Sequence, residues 1–369
     1  MQYSLPIRFV LPILAVILAK LCGAAFLYFF LKLDTLTTFW MNVLHATGSP
    51  TRWPFLFLGW DSVWYLSIPF FGYIGENWAF FPGYPISIYL LDLVINNAFL
   101  SASLCSFVLG VAWIPFFQAV AERYMSRSAA LKCALITAFF PYVFLFTTVA
   151  YSESLFLFAS VSSWYFYLNN KTLKAIFLVA VATITRMMGI VMLLPIFLDA
   201  LRRREYKTLL YTPVPLFALF VWFFYCYIYA GDWLVPLTAQ NTYWSMYSFR
   251  RWVTDCISNR TISNFDSFVV SPILWMTIII LTAIAIYYCR KVDWRLTIYS
   301  ACYFFPILWF ASLDSVVRYL SFIFPIWIAF GTCTLCRKWG KMLSVILCAL
   351  FFPLSVLLWI DFLMGMLVA

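Results

Sequence analysis
Residues 59–85, GWDSVWYLSIPFFGYIGENWAFFPGYP, set two carboxylates, Asp61 and Glu76, among Trp60, Trp64, Tyr65 and further aromatic rings. A carboxylate so surrounded is partly desolvated. The pairing suits sugar chemistry, in which an acid group takes a hydroxyl proton and flat rings stack on the sugar or its lipid. The prolines and glycine of FFPGYP interrupt regular helix and turn the chain back. An interfacial belt of aromatics carrying two solvated acids is the plainer reading of the same residues.

Outward from this stretch the chain is close to pure hydrocarbon. Hydrophobic residues make up 65% and charged ones 10%, with a mean hydropathy of +0.93. Those values exclude an ordinary soluble domain and predict one polytopic integral membrane domain over 1–369. The net charge of +10 falls in clusters that alternate along the chain. It therefore reads as membrane topology and not as affinity for nucleic acid. Cys22, Cys105, Cys133 and Cys348 lie in apolar runs and read as small buried hydrophobes. His45 has no partner in sequence and no paired-cysteine motif is present, so neither a metal site nor a cofactor is expected.

The first apolar run, roughly Phe9 to Leu31, is long enough to span and stay. Residues 32–82 form a polar-aromatic outer segment, and the outer loop carrying the candidate catalytic stretch covers about 32–97. Region 83–121 reads either as two short spans broken near Asn96 and Asn97, or as a surface helix at 84–97 with one span at 100–121. The basic run from Glu122 to Lys132 favours the second, because one crossing puts it on the cytoplasmic side. Spans at 133–150 and 154–168 follow. The segment 175–201 is too short for two ordinary spans and predicts a broken hairpin with Arg186 near its tip. Further spans lie near 209–230, 270–289, 296–311, 319–336 and 342–362. The expected fold is thus an all-α transmembrane bundle of about 10–11 membrane segments.

With that topology the leftover polar residues gather on one side: Asp61, Glu76, Glu153, Arg186, Asp232, Gln240, Asn241 and Arg318. Ionisable groups at membrane depth are costly and usually line a functional cavity. Two arginines among carboxylates fit a phosphate-bearing ligand, since guanidinium grips phosphate oxygens with two parallel bonds. A structural ion pair, Glu153 with Arg186 for instance, is the alternative for any one of them.

Several motifs, in order, resemble a known family. They are GWDSVWYLSIPFFGY with NWAFFPGYP, AYSESLFLF (150–158), ATITRMMGI (182–190), GDWLVPLTAQ (231–240) and SVVRYLSFIFP (315–325). Together they look like the GPI mannosyltransferase that adds the second mannose, and its prokaryotic relatives. The resemblance implies a GT-C glycosyltransferase fold, with dolichyl- or polyprenyl-phosphate mannose as donor and a glycolipid as acceptor. It also implies inversion at the anomeric carbon. The active site would be lumenal in an endoplasmic reticulum membrane, or outward-facing in a prokaryotic plasma membrane. The family's Trp-Asp pair falls on Trp60 and Asp61, and its tyrosine-serine-acid motif on Tyr151, Ser152 and Glu153.

The expected roles follow. Asp61 is the general base, Glu76 orients the acceptor or shares the proton, and Arg186 and Arg318 hold the phosphate. Trp60, Trp64, Tyr65, Tyr151, Glu153 and Gln240 complete the substrate contacts. Met187 and Met188 depart from the more polar residues of some relatives, which leaves the acceptor open, as is any small partner subunit. A transporter or flippase of a lipid-linked solute is the competing class, but no duplicated halves are visible.

Overall fold
Some prolines divide an apolar segment of this chain and others sit inside a continuous helix. The computed structural model describes residues 7–30, 54–243, 272–310 and 313–364, and over them it is all-helical. After α1 (Ile7–Phe30) the described chain resumes in a 3-10 turn, Pro54–Phe57. It continues through α2 (Ser62–Phe71), a second 3-10 turn (Gly75–Ala79) and α3 (Gly83–Ile95). Asn96 in the left-handed conformation ends α3, and the Asn97 side chain accepts the Leu100 N–H to start α4 (Ala98–Ala121). Helix α3 packs on the first half of α4: the Tyr84 hydroxyl donates to the Ala102 carbonyl at 3.1 Å, and Ser101 Oγ to Asp92 Oδ1 at 3.2 Å. Region 83–121 therefore holds a single helix long enough to cross.

The expected span 133–150 is divided into α5 (Arg127–Phe139) and α6 (Pro141–Phe146). Pro141 has no N–H to continue the ladder and takes the first position of the second helix. A non-helical turn at 147–152 leads into α7 (Glu153–Leu168). Next, α8 (Thr172–Thr185) stops at Arg186, whose backbone is extended. A 3-10 segment (Met187–Met192) and α9 (Leu193–Arg203) return the chain, so the break falls at Arg186. Gly189 permits it: a Cβ there would lie 2.3 Å from the Ala182 carbonyl carbon.

The rest comprises α10 (Tyr206–Tyr211), α11 (Pro213–Ala230), α12 (Val235–Tyr243), α13 (Pro272–Val292), α14 (Trp294–Phe310), α15 (Leu313–Ser321), α16 (Phe324–Thr334) and α17 (Gly340–Leu363). The expected span 319–336 is bent by 67° between Ser315–Ser321 and Phe324–Thr334, just before Pro325. Among the described residues, four helices are long and apolar enough to cross a membrane: Phe9–Phe29, Ala98–Ala121, Tyr206–Ala230 and Gly340–Leu363. The bent pair makes a fifth. Among the described residues, the expected span 133–150 is divided at Pro141, whereas α7, α13 and α14 run unbroken where spans are expected near 154–168, 270–289 and 296–311. The chain is a multi-pass integral membrane protein.

Helix α7 is buried along most of its length and packs on α4 and α8. Its Ser154, Ala159, Ser160, Ser162 and Ser163 let neighbouring backbones approach, as small residues do between membrane helices. Polar clusters occupy its two ends. At the C-terminal end, Tyr167 donates to Asp199 Oδ2 (2.6 Å), which also receives Arg295 Nη1 (2.8 Å). Arg295 Nη2 in turn meets Asp293 Oδ2 (2.7 Å), to which Tyr124 donates (3.0 Å). Among the cysteines, Cys105 and Cys133 are buried and Cys348 half-buried. Cys22 instead is exposed, on the outward side of α1 with Leu18 and Leu21, where hydrocarbon accepts a thiol as readily as a core does. His45 lies outside the described residues, as does Asn259, which opens an Asn-Arg-Thr glycosylation sequon.

Candidate functional site
The turn that starts α2 sets the first carboxylate. Trp60 is left-handed (φ 50°), a conformation that costs a bulky residue about 1–2 kcal/mol. Its indole N–H donates to the Phe362 carbonyl at 3.1 Å, so α17 holds the turn. Trp60 thus uses its polar edge as an anchor. Asp61 occupies the N-cap of α2, yet its side chain makes no capping bond. The carboxylate is one-fifth exposed, and its Oδ2 stands 3.9 Å from Arg318 Nη1. The Asp61 backbone N–H donates to the Tyr151 hydroxyl at 3.1 Å, tying this turn to the Tyr-Ser-Glu motif.

Glu153, at the first position of α7, is the buried centre of the cluster. Its Oε1 lies 2.6 Å from Arg186 Nη1 and 3.3 Å from Arg318 Nε, and its side chain is 1% exposed. Ser152 gathers the remaining polar atoms. Its Oγ accepts from Arg186 Nη1 at 3.2 Å, donates to Glu153 Oε2 at 3.4 Å and lies 2.8 Å from the Tyr65 hydroxyl. Tyr65 is buried edge-on against Phe80, Tyr84 and Tyr151, so its ring forms part of the wall behind the cluster.

The break at Arg186 and the bend after α15 bring the two arginines together. The Tyr319 ring lies between them, 4.6 Å from the Arg186 guanidinium and 4.8 Å from that of Arg318; Arg318 Nη2 also donates to its hydroxyl at 3.0 Å. Phe146 stands 4.9 Å from the Arg318 guanidinium. Such cation–π contacts hold a cation without neutralising it. Arg318 Nε and Nη1 face carboxylate oxygens but form no aligned hydrogen bond, which leaves buried donor capacity aimed into the cluster. The Arg318 and Glu153 side chains are almost fully enclosed, whereas Asp61 and Arg186 are about one-fifth exposed. Asp61 and Arg186 are therefore the partly accessible members of the cluster.

The structure unites Trp60, Asp61, Tyr65, Tyr151, Glu153, Arg186 and Arg318. Glu76 is not joined to them. It is exposed on the second 3-10 turn and makes no hydrogen bond or ion pair among the described residues. Gln240 is half-buried on α12, which packs on that same turn. A stack of Tyr73, Trp78 and Trp222 supports this region, with Tyr73 and Trp78 4.8 Å apart. Trp64 is half-buried against the main core. Asp232 is exposed and caps its own turn by accepting the Leu234 N–H at 2.9 Å. Tyr319 and Phe146 escape sequence reading, because a ring beside an arginine carries no signal in a chain so rich in rings. No protein-family model matches the chain, and no curated protein matches it at a significant level.

Proposed function
We propose that the protein is an inverting mannosyltransferase of the GT-C type, taking mannose from dolichyl- or polyprenyl-phosphate mannose and delivering it to a glycolipid hydroxyl. The observation that carries this reading is the linked cluster in which the partly exposed Asp61 meets Arg318, and Arg318 and Arg186 share the enclosed Glu153. A lipid-phosphate sugar is already activated, so the transfer needs a base for the acceptor and cations for the departing phosphate. The acceptor oxygen bonds to C1 of mannose as the C1–O bond to phosphate breaks with its electron pair, and the configuration at C1 inverts. The hydroxyl proton passes to the Asp61 carboxylate. Arg186 and Arg318 take up the charge of the lipid phosphate, and Glu153 keeps the two cations in place. Glu76 and Gln240, near the second 3-10 turn, are the residues offered to the acceptor. On this reading the cluster faces the lumen or the cell exterior, with the basic ends of the helices on the cytoplasmic side.

The test uses purified protein, synthetic prenyl-phosphate mannose carrying labelled sugar, and a panel of acceptor glycolipids. Labelled mannose should appear on one acceptor with inverted linkage. Labelled donor carried across a vesicle membrane with no sugar transferred would overturn the reading in favour of transport.

A further inference from the structure
Lys20 lies within α1, fully buried in a segment apolar enough to cross a membrane. Among the described residues no carboxylate pairs with it. Its Nζ instead donates to the Thr147 carbonyl at 2.6 Å and to Thr147 Oγ1 at 2.9 Å, and stands 3.5 Å from the Gly110 carbonyl. An ammonium has three donors, and these partners use them all. The Phe107 and Phe144 rings close the site at 5.9 and 5.8 Å. A buried charge is expensive unless fully hydrogen-bonded, so this lysine marks carbonyls that need a donor.

Those carbonyls belong to the turn that delivers the Tyr-Ser-Glu motif. Residues 147–152 are non-helical and buried throughout, and irregular backbone inside a membrane protein must find protein partners. The Ala150 N–H donates to the Phe57 carbonyl at 2.7 Å, and the Tyr151 N–H to Ser106 Oγ at 3.2 Å. The Tyr151 carbonyl accepts from Ser154 Oγ at 3.1 Å. The Thr147 carbonyl is left to Lys20. Helix α4 presses on it as well, since a Cβ on Gly110 would lie 1.9 Å from that oxygen.

We propose that Lys20 is a positioning residue for the candidate site: by holding the Thr147 carbonyl it fixes turn 147–152, and so sets Tyr151, Ser152 and Glu153 against Asp61, Arg186 and Arg318. The proposal rests on reading that cluster as a transferase site. Lys20→Met keeps the length and removes every donor. Lys20→Gln is neutral but keeps two N–H donors. Both variants and wild type, as full-length protein in lipid nanodiscs, are compared by backbone hydrogen exchange and by transfer from prenyl-phosphate mannose.

Exchange over 147–153 should quicken by about tenfold or more in Lys20→Met, the factor expected when a hydrogen bond from a charged donor is lost. Protection elsewhere should be unchanged. The donor kcat/KM per folded molecule should fall by about 10–100-fold, as misplacement of a positioned group does. Lys20→Gln should fall between, and it carries the comparison if Lys20→Met does not fold. Wild-type exchange and transfer in the testable variants overturn the proposal, as does protection lost evenly through the bundle. If wild type transfers no sugar, the transferase reading fails, while the exchange data still decide whether Lys20 holds the turn.

Discussion

Replacing Glu153 by glutamine keeps its size and removes the one charge that both arginines share. Because Arg186 Nη1 and Arg318 Nε meet the same oxygen, at 2.6 and 3.3 Å, the two nitrogens lie within about 6 Å of each other. Unit positive charges at that spacing repel by about 3 kcal/mol at an effective dielectric constant of about 20. Removing one partner from a buried ion pair costs about 3–5 kcal/mol, a loss of the same size. Asp61 also offsets Arg318, from 3.9 Å. The expected result is a large fall in the unfolding midpoint of Glu153→Gln in detergent at a fixed heating rate. Arg186→Met placed in the same chain should recover part of it, because the second change removes one of the two stranded cations. The assay compares four midpoints, for wild type, each single variant and the double, followed by tryptophan fluorescence. A wild-type midpoint for Glu153→Gln, or single effects that simply add, would refute the shared-charge reasoning.

If Arg186 and Arg318 hold the donor phosphate, lysine at either position should weaken donor binding by about tenfold and methionine further, since lysine keeps the charge but loses the planar fork. Wild-type donor affinity in both methionine variants would leave only a structural ion-pair network. In a background without native cysteines, Lys207→Cys should react with impermeant reagents from the cytoplasmic side and Asp232→Cys from the opposite side; labelling of both from one side would overturn the orientation.

The cluster was legible where charge is conspicuous. Asp61, Glu153, Arg186 and Arg318 stand out because ionisable residues are rare in hydrocarbon, and the structure joins all four. Trp60 was found for its neighbour, but its indole is committed to α17, about three hundred residues away in the chain; local sequence holds no trace of that contact. Tyr319 was hidden because rings make up 22% of the chain, so one more beside an arginine is unremarkable by composition. Lys20 lies alone in an apolar run, where a lysine that snorkels to the surface and one that binds carbonyls read alike. The helix breaks were half legible. Pro141 and Pro325 stand at helix starts beside a break or bend, yet Pro115, Pro306 and Pro353 sit inside continuous helices. Packing by neighbouring helices decides which proline interrupts a membrane segment, and hydropathy averages across all of them.

The most direct test of the catalytic reading is the turnover of Asp61→Asn on prenyl-phosphate mannose, measured with donor binding on the same folded protein. Asparagine keeps the size and hydrogen bonding of the side chain at the α2 N-cap while abolishing its basicity. Donor binding should persist, and turnover should fall by about two to four orders of magnitude, the usual worth of a general base. Glu76→Gln, altered at an exposed residue outside the cluster, should lose less. Near-normal turnover by Asp61→Asn beside an inactive Glu76→Gln or Glu153→Gln would contradict the assignment of the base.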